Sequence, residues 1–335
     1  MDLKNFNYIL PEELIAQTSA KPRDHSRLMI LNKKKQSISH DFFFNLKNYL
    51  PKNSILVANN SRVLPARLYG TKPTGGKIEV LLLKKFKGNA WQVMIGGKAS
   101  LGMQISFNKN LKATILKKEH QLGIMKFNQT TKNFLKILDK LGQAPTPPYI
   151  KRISNLREYQ TIYAKKIGSV AAPTAGFHFT KKLIKNLEKN GFQFSFITLH
   201  VGLGTFQPVS EKKIENHRIH PEKVQVSLKT AKILNKAKKQ NQKIIAIGTT
   251  SGRALESFVK NKKLLYGKKE TKIFIYPGYK FKFIDGLITN FHLPKSTLLM
   301  MVSALAGQSL VQKAYRQAIK KKYRFYSFGD AMLII

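Results

Sequence analysis

Ile244-Ile245-Ala246-Ile247-Gly248-Thr249-Thr250-Ser251-Gly252-Arg253-Ala254-Leu255-Glu256 reads as a strand, a polar glycine turn and a helix. Four consecutive apolar, mostly β-branched residues fit a strand buried on both faces. A buried strand feeding a helix through a short turn is the repeating unit of an α/β fold. The amides at the start of such a helix lack partners and attract anions, and Arg253 adds charge there. Thr249, Thr250 and Ser251 exceed what a simple cap needs. The stretch is not a phosphate-binding P-loop, because the lysine and its spacing are missing.

Working outward, the α/β pattern continues on both sides. Helices are expected at Tyr159–Lys166, Lys181–Asn190, Leu228–Gln240 and Gly252–Asn261, and strands at Phe192–Leu199 and Lys243–Ile247. Upstream, a short helix is expected near Pro11–Ile15, with strands at Arg27–Leu31 and Ser54–Asn59. From Ala66 to about Gly142 the character changes. Short alternating stretches, Lys77–Leu83, Ala90–Ile95, Gln104–Phe107, Lys112–Leu116 and Gly123–Phe127, are separated by Gly, Asn and Lys turns. That pattern suggests a small antiparallel β-barrel. The extended exit Ala144-Pro145-Thr146-Pro147-Pro148-Tyr149 closes it. The expected organisation is a discontinuous α/β domain, residues 1–65 and 146–335, interrupted by a β-barrel insert at 66–145.

The 335 residues contain no cysteine, which excludes disulfides, thiolate catalysis and cysteine-based metal sites. The N-terminus lacks the apolar core of a signal peptide, and no apolar run is long enough to cross a bilayer. A reducing, cytoplasmic setting is the expectation. The formal net charge is +43, and ten of the 60 basic residues are arginine. A polyanionic partner and lysine-favouring codon composition both account for such a balance. Arg27, Arg62, Arg67, Arg218 and Arg253 stand out in a lysine-rich chain, because the guanidinium fork holds phosphate or carboxylate as lysine cannot.

Two stretches set one histidine each among glycines, threonines and aromatics: Ala172–Thr180, with Thr174, Gly176 and His178, and Thr198–Phe206, with His200 and Thr205. Glycine lets backbone approach a ligand closely, and histidine moves protons near neutral pH. His217-Arg218-Ile219-His220-Pro221-Glu222 has the ingredients of a metal box, but Pro221 argues against one continuous helix. An acid–base or binding role suits it better. Asp285, Asn290 and His292 lie along a further candidate pocket wall, each also readable as a cap or turn residue. The aromatic tail Tyr323–Leu333, with Asp330, suits core packing or stacking on a base.

These blocks together resemble one family, the S-adenosylmethionine:tRNA ribosyltransferase-isomerases of queuosine biosynthesis. The matching segments begin with Arg23-Asp24-His25-Ser26-Arg27-Leu28, Asn60–Leu68 and Gly75–Leu82. They continue through Pro147–Ile150, Tyr159–Thr161 and Gly168–Gly176 to the His200, His217–Glu222, Gly248–Arg253, Tyr276–Thr297 and Tyr323–Leu333 blocks. The resemblance implies a monomer whose α/β domain is barrel-like, with a β-barrel insert, and no metal or redox cofactor. It implies S-adenosylmethionine as a ribosyl donor and a tRNA carrying 7-aminomethyl-7-deazaguanine at the wobble position. The product would be epoxyqueuosine in tRNA, with adenine and methionine released.

That reaction needs a base for the ribose carbon beside the sulfonium and a donor for departing adenine, and histidines suit both. His178 or His200 is the expected base, with His217, His220 and His292 around the substrates. Asp285 and Asp330 are candidates for ribose or amine. Arg253 and the amides after Gly248 are candidates for the methionine carboxylate or a phosphate. Arg62, Arg67, Thr174, Gly176, Thr205, Thr249, Thr250, Ser251 and Asn290 complete the candidate binding set. The chain departs from the family at Asn60, where an aspartate is common; a turn or binding role tolerates the amide. A non-catalytic RNA-binding protein and an ordinary methyltransferase are the alternatives. The first leaves the histidines in polar turns unexplained, and the second lacks its glycine-rich loop.

Overall fold

Strands buried on both faces build the middle of a nine-stranded sheet. The computed structural model describes residues 1–152, 155–202 and 209–335. The sheet runs Gly267–Thr271, Glu222–Val226, Gln193–His200, Ile55–Asn59, Ile244–Ile247, Gly286–Asn290, Ala331–Ile334, Arg27–Asn32 and Ser37–Phe42. The four strands from Gln193–His200 to Gly286–Asn290 are mutually parallel. Ala331–Ile334 runs antiparallel to Gly286–Asn290 and parallel to Arg27–Asn32. Every residue of Ile55–Asn59, Ile244–Ile247, Gly286–Asn290 and Ala331–Ile334 is buried, as a sheet covered on both faces requires.

This register decides which residues share an edge. His200, Asn59, Gly248 and Asn290 follow or end the four parallel strands on one side. The antiparallel strand brings Asp330 to the same side, because Ala331 pairs with Asn290. Leu28 pairs with Ala331, so Ser26 arrives there too. In open α/β sheets this carboxyl edge is where ligands bind.

Helices cover the sheet through apolar faces at i, i+4 spacing. Lys181–Lys189 buries Leu183 and Leu187, and Thr180 caps it by accepting the Leu183 amide at 3.0 Å. Leu228–Lys239 is capped by Ser227 and Thr297–Ala306 by Ser296. The core under the Lys181–Lys189 helix gathers Phe43, Phe179, Ile245, Ile288 and Leu333.

The chain divides into two compact units. One comprises Met1–Ser61, Gln160–Lys166 and Pro173–Ile335, and the other Arg62–Tyr159 and Ile167–Ala172. The second holds a closed six-stranded antiparallel barrel, ordered Leu122–Phe127, Ala90–Gly96, Lys77–Lys85, Arg67–Thr71, Gln104–Ser106 and Lys112–Glu119. Closure removes sheet edges. Alternation fills the interior with Ile78, Val80, Trp91, Val93, Ile95 and Met125. A helix at Thr131–Leu141 sets Phe134 against Phe127 and Trp91, with ring centroids 4.3 and 5.6 Å apart.

Two expectations need correction. No helix forms over 159–166; the amides of Lys165 and Lys166 donate instead to the Asn60 carbonyl, at 2.8 and 3.0 Å. The helix expected at Gly252–Asn261 spans Thr249–Ser257. Gly248, at φ 84° and ψ 150°, turns the chain so sharply that Thr249 already begins the helix. Beyond Ser257 the chain doubles back as a two-stranded ribbon, Val259–Lys260 with Lys263–Leu264.

Candidate active site

The turn Thr174–His178 lies beside the start of the Thr249–Ser257 helix: a Cβ built on Gly248 would sit 3.5 Å from that of Ala175. Gly176 has no room for a side chain, since an added Cβ would fall 2.2 Å from the Tyr163 hydroxyl. Two glycine-bearing stretches far apart in sequence therefore pack together at the carboxyl edge.

His178 is buried here, with Nδ1 2.7 Å from Ser26 Oγ and its ring 5.0 Å from that of Phe43. Its Nε2 has no hydrogen-bond partner. A narrow crevice without room for a water molecule borders it, lined also by Ser19, Arg23, Phe177 and Phe328. Phe177 and Phe328 stack at 5.7 Å, and the Arg23 guanidinium lies 5.1 Å from the Phe177 centroid. Ser19 Oγ is buried without a partner. Burial, reinforced by the Arg324 and Arg23 cations, pushes the His178 imidazolium down to about 3, with the Asn290 side chain pulling the other way. At neutral pH this ring is uncharged.

A second set of groups gathers where the Gln193–His200 strand ends. His200 is half-buried, pairs across the sheet with Lys223, and has a buried Nδ1 without a partner. Burial first, then the Lys223 charge, lowers its affinity for a proton. Arg253 and Glu222, both more than nine-tenths buried, form an ion pair through Arg253 Nη1 and Glu222 Oε2. Arg253 Nε donates to the Ile273 carbonyl at 3.2 Å, while its Nη2 has no partner. Thr250 Oγ1 is likewise buried and unpartnered. Ser251 donates to the Ile247 carbonyl at 2.7 Å, tying the first turn of the helix back to the end of the strand. Thr249 is buried at the first helical position. Thr205 lies outside the described residues.

Other candidates serve the framework. Asp285 stands at the opposite sheet edge: its Oδ2 accepts the Ile244 amide at 2.8 Å and Lys238 Nζ at 2.9 Å, so it starts a strand and is remote from the carboxyl edge. Asp330 shares the site's edge, but its oxygens accept the Arg27 and Arg324 amides at 3.0 and 2.8 Å and hold the aromatic tail in place. His292 is enclosed, with Nε2 2.7 Å from Thr289 Oγ1, its amide donating to the Tyr315 hydroxyl, and its carbonyl accepting from Tyr8. Burial takes it to about 3. Arg67 belongs to the barrel unit, where it pairs with Glu79 at 2.5 Å and donates to the Thr146 carbonyl at 3.0 Å. Arg62 is exposed in that unit.

Asn290 lies at the same sheet edge as the Thr174–His178 turn. Its Nδ2 donates to the Tyr326 carbonyl at 2.9 Å, and its Oδ1 accepts from Thr174 at 3.5 Å. His217 is half-buried edge-on to Phe274, and His220 is exposed. Glu222, the would-be metal ligand of that block, is committed to Arg253. Among the described residues, no three His, Asp or Glu side chains converge as a metal site. Asn60 accepts the Thr198 hydroxyl at 2.7 Å, a tie that an amide oxygen makes as well as a carboxylate. Ser26, Arg23 and Ser19 carry no motif of their own in the sequence. The only pointer was the Arg23–Leu28 block.

A carboxyl-edge site with buried unpartnered polar groups, on a two-unit α/β and β-barrel chain, has the features of an enzyme's substrate site. The chain belongs to the queuosine biosynthesis protein family, whose model matches residues 3–334. It is 48% identical to the S-adenosylmethionine:tRNA ribosyltransferase-isomerase of Carboxydothermus hydrogenoformans over 339 residues, covering all of both chains. It is 46% identical to the same-named protein of Aquifex aeolicus, again over the whole of both. Among solved structures it resembles S-adenosylmethionine tRNA ribosyltransferase from Thermotoga maritima, at 36% identity and TM-score 0.58, covering 99% of this chain and 100% of that one.

Proposed function

We propose that this chain transfers and isomerises the ribosyl group of S-adenosylmethionine onto 7-aminomethyl-7-deazaguanine at the tRNA wobble position. The product is epoxyqueuosine-tRNA, and adenine and methionine leave. The observation that carries this reading is the set of buried, unpartnered polar atoms at one sheet edge: His178 Nε2, His200 Nδ1, Thr250 Oγ1 and Arg253 Nη2. Each such atom costs about 1–3 kcal/mol when left unsatisfied, which a polar substrate would recover. The full-length likeness to named ribosyltransferase-isomerases supplies the substrate pair.

The residues then divide the chemistry. The sulfonium acidifies the adjacent ribose carbon, and a base must remove that proton. His200 suits this better than His178, because an imidazole whose conjugate acid titrates near 3 is a weak base at neutral pH. His178 acts as a neutral hydrogen-bonding group toward the departing adenine. Arg253 Nη2, Thr250 and Thr249 hold the methionine carboxylate. Thr174, Gly176 and Asn290 shape the wall next to them, and His217 and His220 flank the tRNA. In this reading residues 1–65 and 146–335 carry the catalysis and 66–145 form the insert. The enzyme works in the cytoplasm as a monomer, with S-adenosylmethionine as co-substrate and no metal or redox cofactor. Among the described residues no helix is long and apolar enough to cross a membrane.

The test is to incubate the protein with S-adenosylmethionine and the 7-aminomethyl-7-deazaguanine tRNA and to detect adenine and methionine by mass spectrometry. Release that depends on the modified tRNA is expected. No release, with tRNA still bound, overturns the reading.

A further inference from the structure

The backbone segments that hold His178 present a different chemistry on their outer side. Phe43 is fully buried against His178, while its neighbours Phe42 and Phe44 are 47% and 37% exposed. Those two rings stack in parallel, with centroids 5.6 Å apart and planes inclined by 4°. Ser26 turns inward to His178, while the preceding His25 turns outward, its ring 5.0 Å from Phe44. Phe42 pairs across the sheet with Arg27, so their side chains share a face. Arg27 lies 3.8 Å over the Tyr323 ring and donates to the Lys321 carbonyl at 2.7 Å, which places Lys321 and Lys322, both exposed, beside the patch.

The carboxylates nearest this face, Asp24 and Asp41, are engaged by neighbouring side chains, Asp24 Oδ1 lying 3.2 Å from His25 Nδ1. Asp41 accepts from Tyr49 and Asn45 at 2.6 and 2.9 Å, and Asp24 is buried with the Thr180 hydroxyl at 2.6 Å. Two exposed aromatic rings flanked by Arg and Lys, on a chain of net charge +43, match the chemistry of unstacked RNA: π-faces for bases and cations for phosphates.

We infer that Phe42 and Phe44, with Arg27 and the Lys321–Lys322 pair, form a stacking platform for an unpaired RNA nucleotide of the tRNA substrate. The inference rests on the proposed reaction for the identity of that RNA, but not for the existence of the surface. Because Phe43 and Ser26 are the inward-facing neighbours of the platform residues, a nucleotide stacked there is anchored on the outer face of the segments that fix His178. The platform would recognise an RNA loop by its flipped-out bases, with no preference for one sequence.

The decisive comparison is between Phe42→Leu/Phe44→Leu and Phe42→Trp/Phe44→Trp. Leucine keeps the apolar surface and loses the π-face; tryptophan keeps both. Binding is read with an unmodified tRNA transcript, and steady-state turnover with the modified tRNA. The leucine pair is expected to raise Kd and KM for tRNA at least about tenfold, with KM for S-adenosylmethionine unchanged. The tryptophan pair is expected to stay within about threefold of wild type. Leucine-pair affinity equal to wild type overturns the inference. So does unchanged tRNA affinity with loss of concentration-dependent self-association in sedimentation, which would assign the face to a second copy of the chain. Wild type that binds tRNA through these rings yet releases no adenine supports the platform and overturns the proposed reaction.

Discussion

Ser26 Oγ lies 2.7 Å from His178 Nδ1, and the opposite nitrogen of the ring is left without a partner beside the crevice. The hydroxyl fixes the ring's orientation, and its burial together with the Arg324 and Arg23 charges keeps the ring neutral. A neutral, oriented imidazole offers a hydrogen bond at a defined point, in contrast to a proton shuttle, whose conjugate acid titrates near the working pH.

His178→Gln therefore retains a hydrogen-bonding group and is expected to keep a measurable fraction of turnover. His178→Ala is expected to abolish turnover while tRNA binding survives. His200→Gln, which removes the proposed base, is expected to lower kcat by at least about a hundredfold. The kcat values and pH–rate profiles of the three variants check this. A wild-type acid limb that persists in His200→Gln would reject His200 as the base.

Arg253→Lys keeps the charge opposite Glu222 but loses the planar fork and the unpartnered Nη2. S-adenosylmethionine binding is expected to weaken by about 1–3 kcal/mol. Calorimetric titration with S-adenosylmethionine measures it, and an unchanged dissociation constant would remove Arg253 from the carboxylate site. Glu222→Gln should instead act mainly on stability, because it leaves a buried guanidinium without its counter-charge.

Gly176→Ala forces a methyl toward the Tyr163 hydroxyl, and Gly248→Ala places a side chain at φ 84°. Each is expected to cost about 1–3 kcal/mol of folding stability. Urea denaturation gives the number. Gly176→Ala should also distort the His178 turn and so lower kcat, which a purely conformational penalty elsewhere would not do.

His178 and His292 both titrate near 3 when folded and near their ordinary value of 6.5 when unfolded. The unfolded chain then binds more protons between those limits. Their contribution to stability is complete above pH 6.5 and is lost as pH falls toward 3, by at most about 1.4 kcal/mol per pH unit for each ring. Thermal unfolding at pH 7, 6 and 5 should show Tm declining, and His292→Asn, which cannot take the proton, should flatten the decline.

Asp285→Asn removes the partner of Lys238 at the far sheet edge. Partial exposure of both side chains limits the cost to about 1 kcal/mol. Kinetic constants for both substrates are expected to match wild type, and a raised KM for S-adenosylmethionine would return Asp285 to the site.

Local chemistry is written along the chain, and it was legible there. The run Ile244–Ile247 is apolar enough to be a central strand, alternation at Lys77–Phe127 announces a barrel, and Gly248 announces a turn. Histidines among glycines marked out His178 and His200 because those residue types have few structural uses together. The spacing of residues says nothing, however, about which edge of a sheet they reach. Asp285 and Asn290 are five residues apart, yet a buried strand separates them, so one caps the far edge and the other reaches the carboxyl edge beside Thr174. Parallel pairing likewise brings Ser26 to His178 across 152 residues, and the antiparallel pairing of Glu222–Val226 with Gln193–His200 delivers Glu222 to Arg253. Burial then sets the protonation of His178 and His292, because desolvation depends on what packs around a ring and not on what precedes it in the chain.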